Sequence, residues 1–110
     1  MISNKGFMEG IISLKMENEG TIGAPISMTE NNTVASSLEN DKFIGVLKNQ
    51  RGTLAAVQVK GFATVKLSGE IALGISSVVA DGEGGIKAGT GREVMVLSID
   101  EEAATADIIM

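Results

Sequence analysis

The chain contains no cysteine, histidine, tryptophan or tyrosine, and its 110 residues include one proline and three phenylalanines. Without cysteine there are no disulfides, thiolate nucleophiles or cysteine-ligated metal sites. Without histidine the usual general base and the commonest transition-metal ligand are missing. The aromatic platforms on which sugar rings or single-stranded nucleic acid stack are absent too, because Phe7, Phe43 and Phe62 are the only aromatic residues. Nine basic residues against fourteen acidic ones give a formal charge of -5. That balance opposes binding to phosphate backbones and to anionic membrane surfaces. No apolar run reaches the roughly 18 residues of a membrane span, and Asn4, Lys5 and Glu9 interrupt the N-terminal apolar residues where a signal peptide would have a clean core. The expectation is a cytosolic chain with no catalytic, cofactor or metal residues. The triplet Asn31-Asn32-Thr33 then has no route to glycosylation.

What the chain does have is 44% apolar residues and 14 glycines, spread so that they cut the sequence into short apolar segments. This spacing predicts an all-β fold of short strands and hairpins, at a length that supports a core without covalent staples. From Leu54 to Leu67, Val57, Val59, Ala63, Val65 and Leu67 share one parity, while Gln58, Lys60, Thr64 and Lys66 hold the other. The first set is expected inside and the second in water. Gly61 interrupts the alternation and marks a bulge or a bend at a barrel corner, and Phe62 either tucks against that bend or meets a partner.

Before this stretch, the run Lys42 to Lys48 and the turn residues Asn49 to Gly52 predict a hairpin with Leu54 onward. Glu93 to Ile99 and Thr105 to Met110, joined by Asp100 to Ala103, predict a second. The Asp81-Gly82-Glu83-Gly84-Gly85 segment predicts a third, between Ser77 to Ala80 and Ile86 to Ala88. Pro25 belongs at the start of a strand or on an edge, Glu30 to Asn32 makes a turn, and Thr33 begins the next strand. Residues 1–20 are expected as an N-terminal arm leading into a first strand that contains Ile12, Leu14 and Met16, and residues 21–110 as one all-β domain. Ser68 to Ser77 is expected as a loop with a short turn, and no internal repeat is evident.

Candidate chemistry is sparse. Asp81 to Gly85 and Gly89 to Arg92 are glycine-rich, but they lack the Lys-Ser/Thr ending of a P-loop and the strand-to-helix setting of a dinucleotide fingerprint. Asp81 and Glu83 fall short of a calcium ligand set. Asp100, Glu101, Glu102 and Asp107 form the densest acidic group, but they have no aromatic cleft walls for glycosidase work and are expected as a solubilising loop. Met28 and Met95 are expected as core filler. Met8 and Met16, beside Phe7, Ile11 and Ile12, lie where apolar residues either join a local core or insert into a partner.

The segments Gly23 to Met28, Asn32 to Val34, Asp41 to Val46, Ala55 to Val65, Ala80 to Lys87, Gly91 to Glu93 and Ile108 to Met110 together resemble the small head decoration, or cement, proteins of tailed phages and prophages. The resemblance implies a compact β-barrel or a β-tulip or β-clip-like domain. It also implies a non-enzymatic role: binding the major capsid protein on the outside of the shell, often as a trimer, through an N-terminal segment. On that basis the candidate partner interface is Phe7, Met8, Ile11, Ile12 and Phe62. The expected location is the virion head surface, and the bacterial cytoplasm before assembly. The alternative is a small β-clip-type module in which the glycine loops grip a small ligand or glycan.

Overall fold

In a computed structural model that describes residues 10–110, every regular element is a strand. In chain order these are β1 (Gly10–Met16), β2 (Pro25–Glu30), β3 (Thr33–Ser36), β4 (Gly45–Arg51), β5 (Leu54–Lys60), β6 (Phe62–Leu67), β7 (Gly74–Ala80), β8 (Gly85–Ala88), β9 (Arg92–Asp100) and β10 (Thr105–Ile109). They close into two five-stranded barrels, β1-β3-β2-β4-β5 and β6-β8-β7-β9-β10. Side by side, the barrels measure 35 × 27 × 22 Å along the principal axes.

The two barrels share one topology. In each, the first and third strands pair in parallel, Met16 beside Val34 in one and Leu67 beside Ile86 in the other. In each, the last strand pairs back onto the first: Ala55 opposes Leu14, and Ala106 opposes Val65. Even the irregularities correspond. The β4–β5 ladder skips Lys48 and the β9–β10 ladder skips Leu97, one extra residue at the same place in each hairpin. The internal repeat not evident in the sequence is therefore present in the strand pairing. It is hidden because the paired positions hold different apolar residues, Met16 matching Leu67 and Val57 matching Ile108, and because the connections differ in length.

The hairpins at Glu30 to Thr33, Arg51 to Leu54, Ala80 to Gly85 and Asp100 to Thr105 lie where turn chemistry places them, and Pro25 opens β2. Asn32 takes a φ of 57° in the first of these turns, a conformation that asparagine tolerates better than most residues. Within Ser68 to Ser77 the loop ends earlier than expected, because β7 begins at Gly74 and pairs with β9 from there. Gly61 is all that separates β5 from β6, with a φ of 100°. It carries the chain out of one barrel into the next rather than around a corner of a single one, and this backbone region is one that side-chain-bearing residues rarely adopt.

Each barrel has its own core. Met16, Ile26, Val34, Leu47, Ala55 and Val57 fill the first. The second is larger, built on Ala63, Val65, Leu67, Val78, Ile86, Val96 and Ile108, and it also takes in Phe43 and Val46 from the chain of the first. Two expectations change at this level, and one open alternative is decided. Gln58, expected in water, is 1% exposed, because the outer face of β5 at that point is covered by the junction between the barrels. Met28 and Met95, expected as core filler, are exposed. Met16, at the end of the expected first strand and left between a local core and a partner contact, is buried in the first core because β1 closes that barrel against β3 and β5.

Candidate interaction surface

The junction between the barrels combines apolar side chains, Phe43 and Val46 among them, with buried polar groups. Arg92, at the start of β9, reaches across it. One terminal nitrogen donates to the carbonyl of Ile44 at 2.6 Å and the other to the carbonyl of Val59 at 2.7 Å. Its Nε is buried without a partner. Desolvation pulls the Arg92 pKa below its usual value, yet guanidinium remains the charged form. The buried Gln58 side chain donates to the carbonyls of Lys60 and Phe62, at 3.2 and 2.7 Å, tying the end of β5 to the start of β6. The segment between β3 and β4 adds a short backbone pairing with β7. Asn40 donates to the Ala80 carbonyl at 2.9 Å, and Ala80 donates to that of Asp41 at 3.0 Å. Lys87 and Glu39 form an ion pair at 2.6 Å beside it.

A cleft of ≈ 390 Å³ runs along this junction, with Ile22, Pro25 and Ser37 on one side and Lys66, Glu83 and Gly84 on the other. The glycine-rich turn that walls it is organised by Asp81. The carboxylate accepts from the Ser68 hydroxyl at 2.6 Å and from the backbone N–H groups of Glu83 and Gly85 at 2.7 and 2.9 Å. Burial pushes the Asp81 pKa up. The hydrogen bonds from Ser68, Glu83 and Gly85, with Lys66 nearby, outweigh it and hold the group below the ordinary carboxylate value. Gly85 is required by closeness: a Cβ there would stand 2.7 Å from the Lys66 carbonyl oxygen. Asp81 is thus engaged by the turn's own backbone and by Ser68. Among the described residues, no group of three or more acidic side chains is arranged to hold a metal ion.

Two of the four C-terminal acidic residues are likewise built into the fold, while Glu101 and Glu102 are exposed. Asp100 accepts from the N–H groups of Glu102 and Ala103, both at 3.1 Å, capping the turn between β9 and β10. Asp107 bridges three strands, accepting from Thr64 on β6 at 2.7 Å and Ser98 on β9 at 3.0 Å.

Of the residues singled out as a partner interface, Phe7 and Met8 lie outside the described residues. Ile11 and Ile12 are adjacent on β1, 47% and 43% exposed, and point to opposite faces of that strand. Phe62, at the start of β6, is half-buried. Gln58 lies between these groups, as the cross-strand partner of Ile11 and a donor to the Phe62 carbonyl.

Sequence reading did not single out a further apolar row. On the outside of the second barrel, Ile75, Met95, Ile109 and Phe62 are consecutive cross-strand partners over β7, β9, β10 and β6. Ile75 and Met95 are exposed, and Ile109 and Phe62 half-buried. The available signal was parity: Met95 and Ile109 alternate with the inward Val96 and Ile108. Two apolar parities in one hairpin mark a strand with both faces to cover.

No helix among the described residues is long and apolar enough to cross a membrane. The chain matches no protein-family model and no curated protein sequence.

Proposed function

We propose that this protein is a non-enzymatic structural component that binds the outer surface of a phage capsid, with the major capsid protein as partner, and stabilises the shell. On this reading it works on the virion head and resides in the bacterial cytoplasm before assembly. The observation that carries the reading is the display of Ile11 and Ile12 on the first strand of a closed barrel, where rigid scaffolding holds bulky aliphatic side chains in water. Attachment repeated over many identical sites lets each contact be modest. The resemblance of the sequence to phage decoration proteins supplies the partner.

Co-sedimentation with expanded phage heads tests it. The wild-type chain is expected to pellet with the heads, and the Ile11→Lys, Ile12→Lys double variant to lose at least tenfold in affinity while keeping its β-sheet circular dichroism. Failure of the wild-type chain to bind any capsid state refutes the proposal.

A second reading rests on the junction cleft, whose wall is the Gly82 to Gly85 turn. A small ligand or glycan seated there would shift the backbone NMR resonances of Gly84 and Lys66. Titration with a set of simple sugars and carboxylates that leaves those resonances unmoved removes it.

A further inference from the structure

The repeat allows the two outer faces to be compared residue by residue. Counted from the shared hairpin, the counterpart of the exposed row Phe62, Ile109, Met95 and Ile75 is Ile11, Gln58, Val46 and Pro25, consecutive partners over β1, β5, β4 and β2. In the first barrel, three of these four are buried, and Val46 joins the core of the second barrel. In the second barrel the matching row faces solvent, with Ile75 65% and Met95 43% exposed. Among the described residues, one copy of this face is thus covered within the chain and the other is not.

The receiving surface is duplicated in the same way. Ala63 and Ala80 belong to the second core, which Phe43 and Val46 complete. Their counterparts are Ile12, opposite the buried Val57, and, counted through β3 and β8, Met28, opposite the buried Val34; this count sets β2 against β7 two residues away from the count through β4 and β9 but keeps the same face. Both lie on the interior-facing parity of their strands, yet they are 43% and 45% exposed, because nothing among the described residues plays for the first barrel the part that Phe43 and Val46 play for the second.

We propose that a second copy of this chain docks the row Phe62, Ile109, Met95 and Ile75 of its second barrel against the open end of the first barrel at Ile12 and Met28, repeating between molecules the contact made within each. The two surfaces differ, so the contact is heterologous and propagates until it closes into a ring or extends as a filament. The connection at 89–91 between β8 and β9 is short and carries no equivalent of Phe43. The contact between copies is therefore weaker than the one inside the chain, and assembly depends on concentration. This contact involves the chain alone and goes beyond capsid binding.

Sedimentation-velocity analysis of the full chain from micromolar to millimolar concentration tests the proposal. The wild type is expected to associate reversibly. A row variant (Ile75→Lys with Met95→Lys) and an end variant (Ile12→Lys with Met28→Lys) are each expected to be monomeric, with apparent self-affinity reduced at least tenfold. Mixed, they are expected to form a one-to-one dimer, because one keeps an intact end and the other an intact row. Circular dichroism checks that each variant keeps its β structure. If a pair loses it, the single variants Met95→Lys and Met28→Lys are used instead. A wild type that stays monomeric throughout, an end variant that self-associates like the wild type, or a mixture that forms no dimer each overturns the proposal.

Discussion

The two barrels have the same strand order and pairing, but they reach closure by different means. The first encloses a small core of its own residues, among them Met16, Leu47 and Val57. The second borrows Phe43 and Val46 from the first to complete a larger one. The difference shows that a five-stranded barrel of this length does not cover itself. A sheet so short leaves its ends and one outer row exposed, and those surfaces are buried only where another barrel lies against them. Among the described residues this happens once, at the junction spanned by Arg92 and the Asn40–Ala80 pairing. The first barrel's end and the second barrel's row are the surfaces that the described residues leave exposed.

Phe43 is where the second barrel's dependence on the first is expected to show most strongly. Phe43→Ala is expected to lower unfolding free energy by about 3–5 kcal/mol, as for other large-to-small core changes. Chemical denaturation monitored by circular dichroism measures this. A loss below about 1 kcal/mol would mean that the second barrel does not depend on the residue it borrows.

Next in size is Arg92→Leu, which leaves the carbonyls of Ile44 and Val59 without their charged donor. A loss of about 1–3 kcal/mol is expected, from polar groups left buried and unpaired. Because Arg92 links the barrels, amide hydrogen exchange is expected to accelerate on both sides of the junction, at β5 and β9. Acceleration confined to β9 would show that the barrels are held together elsewhere.

The matched rows give a paired test. Val46→Thr, in the covered row, is expected to cost about 1–3 kcal/mol by burying a hydroxyl. Met95→Thr, its counterpart in the exposed row, is expected to stay within about 0.5 kcal/mol in dilute monomer. Equal effects at the two positions would contradict the difference in burial.

The smallest expected effect is at Asp81, which has no counterpart in the first barrel's turn at Glu30 to Thr33. The folded state holds its pKa below the ordinary carboxylate value of 3.8. Its ionised form therefore stabilises the fold fully above that value, and the contribution fades as pH falls through the lower folded-state pKa. Asp81→Ala is expected to cost about 1 kcal/mol near pH 7, the scale of a net hydrogen bond. The gap between the wild-type and variant melting temperatures is expected to narrow on acidification to about pH 2. A gap that is constant with pH would assign the effect to packing.

How much of this was legible in the residues varies from place to place. The hairpin turns were, because Asp-Gly, Asn-Asn and Asn-Gln-Arg-Gly carry their conformational preference locally. So was the interior parity of Val57, Ala63, Val65 and Leu67, which alternation alone assigns. Gln58 was not, because its burial comes from a second barrel lying over the outer face of β5. Met28 and Met95 failed for the opposite reason: an apolar side chain in a strand reads as core, yet these two lie where no neighbour covers them. Of the candidate interface, Ile11, Ile12 and Phe62 could be named from composition and position. The row through Ile75, Met95 and Ile109 could not, since its members are distant in sequence and become neighbours only through cross-strand register.

The amino-acid order sets the chemistry and the local form of this protein: no histidine or cysteine, a net acidic charge, and short strands broken at glycines. These follow from residue type and nearest-neighbour spacing, which act within a turn or a strand. Only the tertiary structure decided that the strands close twice in one topology, that Phe43 completes the other barrel's core, and which apolar face remains in water. Those outcomes depend on strand register and on what packs against each face, and pairings across the barrels are not encoded in any single stretch of the chain.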